Sequence, residues 1–338
     1  VANYPFATIE PNIGIVPVPD PRLSILADVV KSSDGLQNLP PIVPATVQFV
    51  DIAGLVKGAA EGEGLGNKFL SHIREVSIIA HVVRAFEDAD IIKEGSVDPK
   101  SDYRIIETEL MLADLQSVQN MQNRIRRDAS VDEKSTLEKL TKALSDGVPA
   151  QDTSLTEKEA VIARQWFLLS AKKELIVLNV SEEDYTKENI ELIVSKYTSI
   201  LVIPEEKMVV ICAKIEAELA ELSEEEQKEY LKDLGVSESG LERLIKKAYQ
   251  TLGLISFLTA GEKEVRAWTI RLGETSLMAS GTIHTDFMQK FIKAEVVSFD
   301  DFVQNNGWKG SREKGKARFE GKDYIMKDGD VVEFKIGA

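Results

Sequence analysis

The chain has 338 residues with 56 Asp+Glu against 41 Lys+Arg, a formal net charge of −15, so charge alone does not draw the whole molecule to nucleic acid, and such a contact requires a local basic patch. Its length exceeds what one core usually serves, which predicts two or three domains. The single cysteine, Cys212, rules out an internal disulfide, and with neither a charged-then-apolar leader nor an apolar run approaching ~20 residues the expected compartment is the cytoplasm.

In chain order, residues 1 to about 100 read as strand-like apolar runs alternating with loops, with irregular connections at Pro17 to Pro21 and Pro40 to Pro44. Within them Phe49 to Leu55 is a short strand ending in Asp-x-x-Gly, and the glycine-rich run Gly62 to Leu70 leads into a helix. A P-loop nucleotide hydrolase presents its metal-side carboxylate and γ-phosphate sensor in this way. Asp51 can hold Mg²⁺ through water, and the Gly54 amide can face a terminal phosphate because no side chain blocks it. A lone Asp-x-x-Gly is a weak signal, since an ordinary strand-to-turn junction also produces it. Ile78 to Phe86 reads as a further strand.

From Asp102 the pattern turns helical. Ile105, Ile106, Leu110, Leu112, Ala113, Leu115, Val118, Met121 and Ile125 recur mostly at steps of three and four, and Val131 to Leu144 repeats the stripe with Leu137, Leu140 and Leu144. These predict an antiparallel helical hairpin, and a third helix over about 156–169 leads back to the sheet. Arg124, Arg126, Arg127, Lys134, Lys139 and Lys142 give the hairpin a basic character that suits either a contact with RNA or protein or simply a solvated face.

Glu174 to Glu182 is a buried-type strand ending in Asn-x-x-Glu, and further apolar runs follow at Leu201 to Ile203 and Met208 to Ala213. GTPases carry Asn-Lys-x-Asp at the corresponding strand end, and its Asp accepts the guanine ring N–H and 2-amino group. Val180 in place of the Lys and Glu182 in place of the Asp remove that basis for choosing guanine and shift the expectation to ATP. Ser223 and Ser239 then open capped amphipathic helices. Beyond them short strands at 266–271, 294–297, 323–326 and 331–334, a helix at 286–291 and a tight turn at 327–330 predict a compact mixed sheet.

Five segments in matching order, Asn3 to Asn12, Asp51 to Leu55, Gly62 to Leu70, Asn179 to Glu182 and Glu264 to Thr269, resemble the YchF or Obg-like ATPase family over nearly the whole chain. The resemblance implies an α/β fold: a P-loop NTPase-type, mainly parallel sheet with an inserted α-helical hairpin and a C-terminal β-grasp (TGS, ubiquitin-like) domain. The implied domains are 1–101 with 170–255 for nucleotide, 102–169 for the hairpin and 256–338 for TGS. It further implies that Thr8 and Asp51 serve Mg²⁺ and that Gly54 serves the γ-phosphate. Val180 and Glu182 would flank the adenine of ATP, Asn179 would tie loops together, and Cys212, Ala213 and Lys214 would close their backbone over the base. Leu55 stands where related enzymes place the glutamine that orients water, so hydrolysis is expected to be slow.

The function so implied is a monomeric, Mg²⁺-dependent, ATP-hydrolysing switch acting on ribosomes or RNA. The alternatives are a nucleotide-gated binding protein with negligible hydrolysis and a GTPase. Two departures stand out. The family's Gly-x-x-x-x-Gly-Lys-Ser phosphate cradle is not among these residues, and the expectation is that it belongs to a longer polypeptide. The segment 87–99 lacks the histidine some relatives carry, and of the three histidines, His72, His81 and His284, the first two read as structural, so no general base is assigned.

Overall fold

The computed structural model describes residues 12–52, 65–86, 98–125 and 128–337, with side chains of helix 65–75 described from residue 70. The elements begin with β1 (Asn12–Pro17), α1 (Arg22–Asp34), β2 (Ile42–Val43), β3 (Thr46–Asp51), α2 (Leu65–Glu75) and β4 (Ile78–Arg84). A helical stretch follows: α3 (Pro99–Arg124), α4 (Val131–Ser145) and α5 (Glu157–Arg164). Then come β5 (Lys173–Asn179), α6 (Lys187–Leu201), β6 (Met208–Ile211), α7 (Ala213–Leu219), α8 (Glu224–Asp233) and α9 (Gly240–Thr251). The chain closes with β7 (Leu254–Ala260), β8 (Val265–Arg271), α10 (Ser276–Ile283), α11 (Thr285–Lys290), β9 (Phe291–Ser298), α12 (Phe299–Gln304), α13 (Gly307–Glu313), β10 (Arg318–Glu320) and β11 (Asp330–Ile336). The fold is α/β. It divides into one unit built around Val50–Leu244 and a second formed by Ile15–Phe49 together with Ile245–Ala338. Residues 15–49, read from sequence as part of the nucleotide domain, thus cluster with the C-terminal segment.

In the first unit β4, β5 and β6 form a parallel sheet with β5 in the centre. Leu175, Ile176, Val177 and Leu178 of β5 are all buried, the continuous apolar run of a strand covered on both faces. On one side Ile176 and Leu178 pack with Leu201, Ile215 and Leu219. A separate cluster gathers Leu70, Ile73, Leu110 and Leu169, with Ile52 and Ile79 against it.

The predicted hairpin is present. Asp98 accepts the Lys100 and Ser101 N–H groups ahead of Pro99 to start α3, and Ser130 caps α4. Val118, Leu137, Leu140 and Leu144 form its seam. The third helix stops at Arg164, short of the expected 169. The turn after it is held by Asp114, fully buried on α3, whose carboxylate accepts the Leu169 N–H (2.8 Å), the Ser170 N–H (2.7 Å) and the Ser170 hydroxyl (2.7 Å).

The second unit is a mixed sheet in the order β10-β9-β11-β7-β8-β2, with β11 parallel to β7 at its centre and β7-β8, β9-β11 and β9-β10 antiparallel. Its last five strands around α10 form a β-grasp arrangement. Phe257, Ile270, Ala279, Val296 and Val332 make the core on the α10 side. The opposite face receives α1, which buries Leu23, Leu26, Ala27 and Val30, the i, i+3, i+4, i+7 stripe of an amphipathic helix.

Two sequence expectations are corrected here. Residues 22–34 are helical, where strand-like runs and loops were expected. Residues 323–326 supply only an isolated bridge from Ile325 to Thr275 rather than a strand. The apolar run at 201–203 is a helix end, with Val202 at φ 59°. Asp328 and Asp330 act as turn residues. Asp328 accepts the Ser256 N–H (2.9 Å) and pairs with Arg22 (2.8 Å), while Asp330 accepts the Tyr324 hydroxyl and the Lys327 N–H (2.9 Å each).

Candidate functional site

Parallel strands deliver their C-terminal ends to one sheet edge, where α/β folds bind ligands. In the first unit that edge is Arg84, Asn179 and Ile211, opposite one another in register. The Asn179 side-chain carbonyl accepts the Ala213 N–H at 2.9 Å, and its backbone carbonyl accepts the Ala85 N–H at 2.9 Å. Val180 N–H donates to the Ile211 carbonyl, also at 2.9 Å. The loops after β4, β5 and β6 are thereby tied together, so Asn179, Val180, Glu182, Cys212 and Ala213 converge on one place.

Their side chains face different ways. Val180 and Cys212 are buried in the core behind the edge, so their backbone is what they can offer a ligand. Burial pushes the Cys212 thiol up, which keeps it out of the reactive thiolate form. Glu182 is half exposed and forms an ion pair with Lys214, in the first turn of α7.

Behind these loops lies a polar brace. Arg243 donates to the Tyr185 hydroxyl (2.8 Å), the Val210 carbonyl (3.0 Å) and the Glu238 carbonyl (2.9 Å). Glu216 accepts the Gly240 N–H at 2.7 Å. A Cβ on Gly240 would lie 2.9 Å from each of Glu216 Oε1, Ile211 Cγ2 and Tyr185 Oη, so only glycine fits there without displacement. Neither the Glu182–Lys214 pair nor this brace was foreseen. Partners 32 and 58 residues apart leave no local signal.

Asp51 ends β3 with an exposed carboxylate, and the next residue, Ile52, packs against the core of α2 and α3. Among the described residues Asp51 has no ion-pair partner, and no group of three or more His, Cys, Asp or Glu gathers to hold a metal. A single carboxylate suits Mg²⁺, which commonly takes one or two carboxylates and completes its shell with water and phosphate. Thr8, Gly54 and Leu55, like Arg126, Arg127 and the segment 87–97, lie outside the described residues.

His81 lies 5.2 Å from the Tyr103 ring, and burial holds its pKa down to about 4. His284 Nδ1 accepts the Asp286 N–H at 3.2 Å, and His72 is on α2. Among the described residues no helix is long and apolar enough to cross a membrane.

Comparison with known proteins gives matches along the chain. A family model described as "50S ribosome-binding GTPase" matches residues 1–125, and the YchF-GTPase_C model, described as "Protein of unknown function (DUF933)", matches residues 254–337. The chain is 45% identical over 344 residues to the "Ribosome-binding ATPase YchF" of Bacillus subtilis, covering 100% of this chain and 92% of that protein. The protein of the same name from Haemophilus influenzae is 45% identical over 348 residues, again covering 100% and 92%. Among solved structures, the Schizosaccharomyces pombe YchF GTPase superposes with a TM-score of 0.82 at 35% identity, covering 99% of this chain and 90% of that one.

Proposed function

Because the chain belongs to the YchF family, we propose that it is a slow, Mg²⁺-dependent ATPase whose nucleotide state governs its hold on ribosomes in the cytoplasm. The observation that carries this reading is the Asn179–Ala213 hydrogen bond, which locks the β5 and β6 loops together at the C-terminal end of a parallel sheet. The two curated relatives above are named as ATPases and the solved structure as a GTPase. Glu182, in place of the shorter aspartate that guanine recognition uses, favours ATP.

Asp51 and Thr8 would hold Mg²⁺, which screens the phosphate charge when bound. Asn179 ties the loops together, Val180 and Glu182 flank the base, the backbone at Cys212 and Ala213 closes over it, and Gly54 meets the γ-phosphate. Leu55 carries no group able to polarise water, which accounts for a low basal rate. The C-terminal sheet, taken as a TGS module, and the basic hairpin are the surfaces proposed to contact the ribosome, with the protein acting as a monomer.

Single-turnover hydrolysis of ATP and GTP, each with and without ribosomes, tests the reading. ATP turnover that ribosomes accelerate is the expected result. Faster GTP turnover would return the protein to the GTPases. Tight ATP binding with no turnover in either condition would make it a gated binding protein.

A further inference from the structure

Glu182 is the residue whose carboxylate comes nearest to a guanine-recognising role, and it is already engaged. Lys214 projects from the first turn of α7 and pairs with Glu182 Oε2. The neighbouring acids are occupied elsewhere, Glu218 by the Tyr230 hydroxyl (2.9 Å) and Asp184 by the Ser181 hydroxyl (2.9 Å). The pair spans the two loops that the Asn179–Ala213 bond joins, so its position is set by the edge itself.

We propose that Lys214 is a specificity-determining residue that disfavours guanine by occupying one oxygen of the Glu182 carboxylate. This rests on the base-site reading above. Guanine presents two donors to a recognising carboxylate, the ring N1–H and the 2-amino group, and needs both oxygens. Adenine presents only its 6-amino group on that edge, for which the remaining oxygen suffices. The lysine ammonium has no acceptor to offer in exchange. Glu182 in a more open setting would be a longer version of the GTPase aspartate. Held by Lys214, it offers only half of what guanine requires.

The test is equilibrium displacement of a fluorescent ATP analogue by unlabelled ATP and by GTP, at fixed Mg²⁺, from the parent protein, K214M, K214R, K214M/E182Q and N179A. The Lys214 and Glu182 side chains are 68% and 41% exposed, so changes at these two positions leave folding intact. K214M is expected to improve GTP relative to ATP by about fivefold, the size of a good exposed ion pair. K214R, which keeps the pair, leaves the ratio near the parent value, and adding E182Q to K214M removes the gain. An unchanged ratio in K214M, or a gain that survives E182Q, overturns the role of Lys214. N179A separates this failure from a deeper one. If N179A weakens both nucleotides while K214M does nothing, only the lysine's role falls. If N179A alters neither, the base site lies elsewhere and both readings fall.

Discussion

Replacing Asp114 by alanine removes the acceptor on which the turn between the helical hairpin and β5 depends. Its carboxylate takes two backbone N–H groups and one hydroxyl, all between 2.7 and 2.8 Å, in a site with no solvent exposure. The hydroxyl of Ser170 can rotate, and it also accepts the Ala150 N–H at 3.1 Å, so its loss is partly absorbed. The Leu169 and Ser170 N–H groups cannot turn away. A buried donor left unpaired costs ~1–3 kcal/mol, so two give roughly 3–4 kcal/mol after allowance for a water entering the space. At 1.4 kcal/mol per decade, amide hydrogen exchange at Leu169 and Ser170 should accelerate by about 10²-fold or more where local opening governs it. Leu258 and Val331, in the second unit, serve as internal controls. Protection within threefold of the parent value at both amides would show that Asp114 holds nothing and refute the reasoning.

Three further outcomes are expected. Gly240→Ala forces a Cβ against Glu216, Ile211 and Tyr185 and should cost ~1–3 kcal/mol as overpacking; urea unfolding of the first unit measures it, and no change would mean the brace is pliable. His81 has its pKa lowered by burial from 6.5 to about 4, so between those values the unfolded chain binds more protons than the folded one. Stability is therefore lost as pH falls from about 6.5 through about 4, by at most about 3 kcal/mol, and the parent-minus-H81F difference in unfolding free energy across that window should show it. Arg22→Met leaves Asp20, with only 8% side-chain exposure, without its cation and releases Asp328. A loss of about 2 kcal/mol is expected in the second unit, read by thermal unfolding through Trp268 or Trp308 fluorescence.

How much of this was legible in the sequence depends on the range of the forces involved. Strand β5 and helices α3 and α4 declared themselves because their burial patterns are local and periodic. Helix α1 did not, since Pro17, Pro19 and Pro21 crowd its start and read as an irregular connection, although Asp20 takes the Arg22 N–H at 3.0 Å and Gly35, at φ 65°, ends the helix. Residues 323–326 read as a strand in the sequence because alternation alone does not show whether a ladder partner exists, and β7 is absent from that reading. The site divides in the same way. Asn179 and Glu182 are legible as the Asn-x-x-Glu strand end, and Cys212, Ala213 and Lys214 enter as the base loop that the resemblance implies. The pairing of Lys214 with Glu182 is not legible, because it requires knowing where β6 ends beside β5.

The second unit is discontinuous, and this has a consequence for its birth. The apolar stripe of α1, Leu23, Leu26, Ala27 and Val30, is covered by a sheet whose strands, apart from the two-residue edge strand β2, begin only after Ile245. About 200 residues separate the two parts, so at ~5–20 residues per second the nascent helix waits roughly 10–40 s for its cover. During that interval it is a sticky segment that calls for a chaperone. A premature stop anywhere before β7 would leave it uncovered for good and turn a missing C-terminus into an aggregation problem near the N-terminal end.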